Sequence, residues 1–280
     1  MSNTISSQQN SFPIKISVIT VCKNAENTIE ETLKSVCRQT YPNIEYIIKD
    51  GVSTDSTLNI VKKYERYISN IISGQDKSIY DAMNIALRFA SGDYVFFLNA
   101  DDQFFSCNTI RKVVGALREK NADIIYGDLI FMKNQRFWAY NFNDQPLSRL
   151  KVTIFPIIHQ AVLKKRELFD ILGTYNHQDF AVCANRNWVC QAFQKKLKFQ
   201  YLPIPICKFS LDGFQSRTDH RHEEKQMYNR YLRAHDKLIA PFYYAFHRLR
   251  YKIKTKPFKI TKQEIKYDIK RMLKLITFNF

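Results

Sequence analysis

Tyr94-Val-Phe-Phe-Leu-Asn-Ala-Asp-Asp102 is an apolar run that stops abruptly in an amide and two carboxylates. A short, uncharged, apolar and aromatic stretch of this kind reads as a strand buried on both faces of a parallel sheet. In an open parallel sheet, ligands sit just beyond the carboxyl ends of the strands. The acidic pair therefore falls where a site would be built.

The same form recurs on the amino-terminal side. Ile16-Ser-Val-Ile-Thr-Val21 and Ile44 to Ile48 are buried-strand signals, and Ile71-Ile72 predicts a third, shorter strand. Between them lie helical spacings. Thr28 with Glu31 makes a capping-box pattern ahead of Ile29, Leu33 and Val36, and Tyr41-Pro42 ends that element. Leu58, Val61 and Ile68 mark a second helix after the polar turn Asp50 to Thr57. Ile79 to Ala90 is a third, with Met83, Ala86, Leu87 and Ala90 on one face. Thr109 to Lys120 predicts a further helix and Asp123 to Tyr126 a strand, after which the pattern is irregular and aromatic. The alternation predicts an α/β domain whose strand ends carry Asn24, Asp50, Ser53, Asp101 and Asp102.

The chain has 280 residues, of which 45% are hydrophobic and 14% aromatic, enough for one large α/β domain plus an appendage. Its formal charge of +17 requires a face that attracts polyanions, whether nucleotides, anionic lipid or nucleic acid. The six cysteines form no C-x-x-C pair, and reduced thiols in a cytoplasmic protein are expected. Met1 to Ser11 lacks the basic and apolar regions of a secretory signal, and the longest apolar run, Leu238 to Phe246, is too short to span a bilayer. From Arg248 onward Lys252, Lys254, Lys256, Lys259 and Lys262 accumulate, and a last helix with Ile265, Ile269, Met272, Leu273 and Ile276 on one side is expected. Such a basic amphipathic helix suits either an anionic membrane surface or the body of the protein.

Asp101-Asp102, taken with Asp50 and Asp76, is the strongest chemical signal. Hard divalent cations, Mg²⁺ or Mn²⁺, take oxygen ligands, commonly one or two carboxylates plus the phosphates of a substrate. The plainer alternative is that the pair caps the next helix. His220 and His222 in Asp-His-Arg-His-Glu-Glu are expected to be a solvated charge cluster, since no third ligand lies at useful spacing.

Ile16 to Asn24, Thr32 to Thr40 and Glu45 to Thr57 resemble the start of family 2 glycosyltransferases of GT-A fold. Asp76-Lys-Ser-Ile-Tyr-Asp-Ala-Met-Asn84 and Ala90 to Asp102 are similar to the branch found in bacterial exopolysaccharide and colanic-acid-type clusters. A weaker likeness continues through His159-Gln160, Gly173-Thr-Tyr and Asp212-Gly213 to Ser216. The resemblance implies a Rossmann-like mixed sheet flanked by helices, with a basic helical C-terminal extension. It divides the chain into a tail (1–13), a GT-A catalytic domain (14–216, with a nucleotide-sugar half 14–128 and an acceptor half 129–216) and the extension (217–280).

The resemblance also implies roles. Val21, Lys23, Asn24 and Glu26 would lie by the nucleotide base, although Lys23 stands where the family usually has Tyr. Asp50, Gly51 and Ser53 would hold the base or position that loop. Asp76, Asp81 and Asn84 belong to the donor motif, the two carboxylates facing ribose and diphosphate. Asp102 would be the metal ligand and Asp101 would reach the ribose or a metal-bound water. His159 and Gln160 would sit near the diphosphate or acceptor sugar. The family's catalytic base, an Asp in a segment like Phe-x-Ile-Ala-x-Asp-Trp, is replaced in Phe180-Ala-Val-Cys-Ala-Asn-Arg-Asn-Trp188 by Asn185. An amide cannot accept a proton at neutral pH. Either Asp179 takes the role, the alignment is shifted, or the protein is a donor-binding pseudoenzyme.

The expectation is an inverting glycosyltransferase using a nucleotide-diphosphate sugar, UDP-sugar foremost, and a glycan or lipid-linked acceptor. It would work in the cytoplasm at the inner face of the membrane, with peripheral contact to anionic lipid. A basic nucleic-acid-binding protein is the alternative from another class, disfavoured because clustered carboxylates repel phosphates unless a cation intervenes.

Overall fold

The first apolar run becomes β1 (Ile16–Cys22), buried along its whole length, and β2 (Ile44–Asp50) pairs beside it in parallel, Cys22 facing Asp50 across the ladder. The computed structural model describes residues 14–133, 136–140, 147–154, 157–211 and 221–243. Parallel pairing continues outward to β3 (Asn70–Ser73) and inward to β4 (Tyr94–Phe97). The carboxyl ends of β3, β2, β1 and β4 thus lie side by side in that order.

The connecting helices are α1 (Ile29–Cys37), α2 (Thr57–Lys62) and α3 (Ile79–Leu87). Ile29, Leu33 and Val36 of α1 are buried, as their spacing predicts. Each such aliphatic side chain contributes roughly 1.5–3 kcal/mol by leaving water. The capping box does not form: Thr28 makes no side-chain cap, and Glu31 pairs instead with Lys34 at 2.8 Å. The second helix is shorter than its apolar spacing suggests. It ends at Lys62, and a 3-10 turn, Glu65–Tyr67, leaves Ile68 outside it.

Beyond β4 the sheet turns mixed. After the short β5 (Gln103–Phe104) and α4 (Thr109–Lys120), β6 (Ile124–Lys133) runs well past the four residues expected of it. It pairs with β7 (Arg136–Tyr140) antiparallel, with β8 (Val162–Lys165) antiparallel and with β9 (Phe199–Ser210) in parallel. β8 also pairs antiparallel with β4, so the sheet order is β3-β2-β1-β4-β8-β6-β9-β5. β6 carries the chain unbroken through residue 128, where the sequence reading divides donor half from acceptor half.

Helices α5 (Arg149–Ile154), α6 (Leu168–Leu172) and α7 (Ala184–Gln194) cover this second region. Trp188 of α7 is buried and stacks on Phe169 of α6 at 4.8 Å between ring centroids. α8 (Arg221–Tyr231) lies across α7, where the Tyr231 hydroxyl donates to Asn187 Oδ1 at 2.7 Å. A further helix occupies 234–243. No helix among the described residues is long and apolar enough to cross a membrane. The basic helix expected over 262–276 and the Asp212 to Ser216 likeness lie outside the described residues.

Candidate active site at the carboxyl edge of the sheet

At the end of β2, both carboxylate oxygens of Asp50 accept from the Ser53 amide, at 3.3 and 3.1 Å, and Oδ2 also accepts from Ser73 Oγ at 2.9 Å. Asp50 is wholly buried and works as the clasp of the loop that follows it. That loop is fastened to the end of β1: the Asn24 amide donates to Ser53 Oγ at 2.8 Å, and Asn24 Oδ1 accepts from the Thr54 amide at 2.9 Å. Glu26 closes the same ring by accepting from the Ser56 amide at 2.9 Å. Asn24 and Val52 both have positive φ, 50° and 61°. For a β-branched residue that region is strained, and such strain concentrates at functional loops. Val21, by contrast, is part of the buried core.

Asp76 sits over this loop. A Cβ on Gly51 would lie 2.8 Å from Asp76 Oδ2 and 3.3 Å from Lys23 Cδ, so only glycine lets the three meet. Asp76 is paired with Lys49 at 3.1 Å, and the same buried ammonium donates to the carbonyls of Asp50 and Gly74, both at 2.6 Å. Lys49 was not singled out from sequence, yet a lysine inside Ile47-Ile-Lys-Asp50, a stretch otherwise buried, was a readable sign of an internal cation.

Two donor-motif residues serve the protein itself. Asp81 accepts from the Lys77 amide at 2.8 Å while its own amide donates to Ser78 Oγ at 3.2 Å, a reciprocal cap on α3, and it faces His177 Nε2 at 3.4 Å. Asn84 spends its amide on the backbone of Tyr175, accepting at 3.0 Å and donating at 2.8 Å. It therefore anchors the loop that carries residues 173–183 instead of facing the rim.

Beyond β4, Asp101 is half-buried and Asp102 is 1% exposed. Asp102 Oδ1 accepts from the Ser210 amide at the end of β9, 2.9 Å away, and its backbone carbonyl accepts from Thr32 Oγ1 of α1 at 2.7 Å. Burial, and then the charge of Asp101, push its carboxyl well above the ordinary carboxylate range; the Ser210 amide and the Gln160 side chain oppose that rise. Asp102 Oδ2, Asn99 Oδ1, Gln160 Oε1 and His159 Nε2 are buried with no hydrogen-bond partner among the described residues.

A hard cation fits this set. The orphaned oxygens are the donor type that Mg²⁺ or Mn²⁺ takes, and a cation would return Asp102 to its charged form. No cluster of three or more His, Cys, Asp or Glu able to hold a metal occurs among the described residues. The rest of the coordination would have to come from a ligand such as a diphosphate. Asp101 is the more exposed member of the pair and Asp102 the buried one.

The residues nearest the expected base divide sharply. Asn185, 7% exposed, accepts from Tyr80 at 3.0 Å and its Nδ2 faces His159 Nδ1 at 3.2 Å. His159 is 1% exposed, and burial followed by the charge of Lys164 lowers its pKa to about 3, so the ring is neutral. Asp179 is exposed, with Oδ2 accepting from Asn176 Nδ2 at 2.9 Å.

The sequence model described as "Glycosyl transferase family 2" matches residues 17–182. A "PGL/p-HBAD biosynthesis glycosyltransferase" of Mycobacterium bovis (strain BCG / Pasteur 1173P2) is 31% identical over 210 residues, 72% of this chain and 79% of that one. The Escherichia coli "UDP-Glc:alpha-D-GlcNAc-diphosphoundecaprenol beta-1,3-glucosyltransferase WfgD" is 30% identical over 120 residues, 42% of this chain and 47% of its own. Among solved structures, the mannosyltransferase PcManGT from Pyrobaculum calidifontis, in complex with GDP-Man and Mn²⁺, superposes with a TM-score of 0.66 at 18% identity, over 95% of this chain and 86% of that one. S. aureus TarS 1-349 in complex with UDP gives 0.65 at 20% identity, over 84% and 72%. These likenesses bear out the expected mixed sheet flanked by helices.

Proposed function

The chain belongs to glycosyl transferase family 2 and is a glycosyltransferase of glycan biosynthesis, and from that premise we propose an inverting transfer from a nucleotide-diphosphate sugar to a glycan or lipid-linked saccharide. What supports this is the placement of Asp50 and Asp76 at and beyond the ends of β2 and β3, and of Asp101 and Asp102 beyond β4, all at the carboxyl edge of one run of parallel strands. With strands ~4.8 Å apart, the β2 and β4 termini lie about 10 Å from each other. A UDP-sugar is the favoured donor: the E. coli relative is named for UDP-Glc and S. aureus TarS is in complex with UDP, while PcManGT is in complex with GDP-Man.

The loop clasped by Asp50 and Ser53, with Lys23, Asn24 and Glu26 along it, holds the nucleoside. Asp101 and Asp102 would hold the cation. When bound, the cation neutralises charge that builds on the departing diphosphate. Asn185 cannot take the acceptor's proton, because it is an amide and both ends are engaged. Asp179 is the carboxylate that the same loop offers, and Asp81–His177 ties that loop to the donor rim. The acceptor hydroxyl attacks the anomeric carbon as the bond to diphosphate breaks, and its proton passes to Asp179.

Calorimetric titration with UDP, GDP and dTDP, with and without Mn²⁺, tests the reading. Metal-dependent binding of one diphosphate is expected, weakened at least tenfold by Asp101→Ala. Absence of metal-dependent binding for all three would sink it. The buried amide at 185 favours one other reading, a donor-binding protein without transfer. Turnover appearing only in Asn185→Asp would select that alternative.

A further inference from the structure

Building on the transferase reading, we propose that Asn84, with Tyr80 and Asp81 beside it on α3, is a positioning residue for the acceptor side of the reaction. It seats the loop that carries Asp179, so that transfer depends on it while nucleotide binding does not.

That loop, residues 173–183 between α6 and α7, contains no strand or helix of its own. Its internal backbone bonds run from the His177 amide to the Tyr175 carbonyl at 3.0 Å and from the Phe180 amide to the Asn176 carbonyl at 3.3 Å. A proton acceptor on so thin a frame needs support from outside, because a displacement of about 1 Å can cost on the order of 10²-fold in rate. One face of α3 supplies it. Tyr80 and Asp81 stand at i−4 and i−3 to Asn84, so the three side chains are neighbours on the helix surface.

They take the loop at three points. Asn84 holds both backbone groups of Tyr175, donating to its carbonyl at 2.8 Å and accepting from its amide at 3.0 Å. Asp81 Oδ1 faces His177 Nε2 at 3.4 Å, and Tyr80 Oη donates to the Val182 carbonyl at 2.7 Å. Asp179 lies between the second point and the third. The orientation of the Asn84 amide is fixed by its partner, because a backbone N–H only donates and a carbonyl only accepts. Asn84 is also 8% exposed. To reach a nucleotide it would have to abandon both bonds and leave buried backbone groups unmet, which is costly. A side chain whose motif points to the donor half is thus spent on the opposite one.

Release of nucleoside diphosphate from UDP-, GDP- and dTDP-hexoses, with Mn²⁺ present and water as the acceptor, gives kcat and KM. Calorimetry with the matching diphosphate gives affinity. Asn84→Ala should lower kcat about tenfold or more while KM and diphosphate affinity stay within about twofold of wild type. His177→Ala, a milder change at a partly exposed contact, should show the same split to a smaller degree. His177→Gln, whose amide can still donate to Asp81, should recover most of it. Diphosphate affinity that falls in Asn84→Ala as far as kcat/KM does overturns this proposal alone and returns the residue to the donor pocket. An unchanged kcat in His177→Ala together with an unchanged kcat in, or failure to fold of, Asn84→Ala also overturns it alone. A wild type that binds no nucleoside diphosphate, or binds one and turns over none of these donors, overturns the transferase reading and the role of Asn84 with it.

Discussion

A lysine ammonium with aromatic rings around it is the most unusual residue of the interior. Lys164 on β8 is fully buried, 5.6 to 5.7 Å from the ring centroids of Phe97, Tyr175 and Trp188, and donates to Tyr175 Oη at 3.1 Å. Burial lowers its pKa from 10.5 to about 7. The folded value lies below the unfolded one, so between pH 7 and 10.5 the unfolded chain holds the extra proton. Stability from this group therefore rises across that window with increasing pH and is at its floor below 7. Lys164→Met should be more stable than wild type at neutral pH, by on the order of 2–4 kcal/mol less the lost cation–π contacts, and should flatten the rise in melting temperature between pH 7 and 10. An equally steep rise in the variant would contradict this. Nothing in the sequence marked Lys164, because only tertiary cover by Trp188 and Tyr175 encloses it. The rim aspartates were readable for the opposite reason. Each directly ends an apolar run or sits one turn beyond it, so local pattern alone put them at strand termini. The backbone partners of Asn84 and Asp81 were not legible, because a polar residue in a donor motif looks the same whether it faces a ligand or a backbone.

At the scale of elements, one carboxylate of α8 holds the entry to α7. Glu223 accepts from three consecutive amides, Ala181, Val182 and Cys183, at 2.9, 3.0 and 2.7 Å, at the entry to the helix that carries Asn185. A carboxylate there satisfies orphan donors and opposes the positive end of the helix. Removing it in Glu223→Ala should cost about 1–2 kcal/mol in urea denaturation and speed hydrogen exchange at those three amides, while Glu223→Gln keeps part of both. Unaltered exchange in the alanine variant would show the contact to be dispensable. Sequence could not supply this pairing. The fold of the first hundred residues follows from strand and helix periodicities that are local. β8 and β9 and the α7–α8 contact depend on partners tens of residues away, and β9 contains Pro203 and Pro205, which disguise a strand. The failed capping box at Thr28 teaches the same lesson in miniature: Glu31 had a nearer partner in Lys34.

For the whole molecule, the charge of +17 is the property least explained by the site, which is acidic. Arg248, Arg250, Lys252, Lys254, Lys256, Lys259 and Lys262 follow directly on a helix whose Leu238, Ile239 and Phe242 are exposed. Full-length protein is expected to sediment with phosphatidylglycerol-rich vesicles in a salt-sensitive manner, and a chain ending at Tyr243 to lose that association while keeping UDP affinity. Vesicle binding undiminished by the truncation would place the attachment elsewhere. The sheet itself has a consequence for how the protein comes into being. Asp102 is held by an amide 108 residues further along, at Ser210, where β9 ends. Contacts so remote in sequence form late, after the intervening loop has been closed. A nascent chain that has emerged only as far as α7 already contains every rim aspartate, yet it lacks the strand that clasps Asp102. Nucleotide competence should thus arrive during synthesis in a single late step, and fragments released before residue 210 should be unable to sequester the cell's sugar donors.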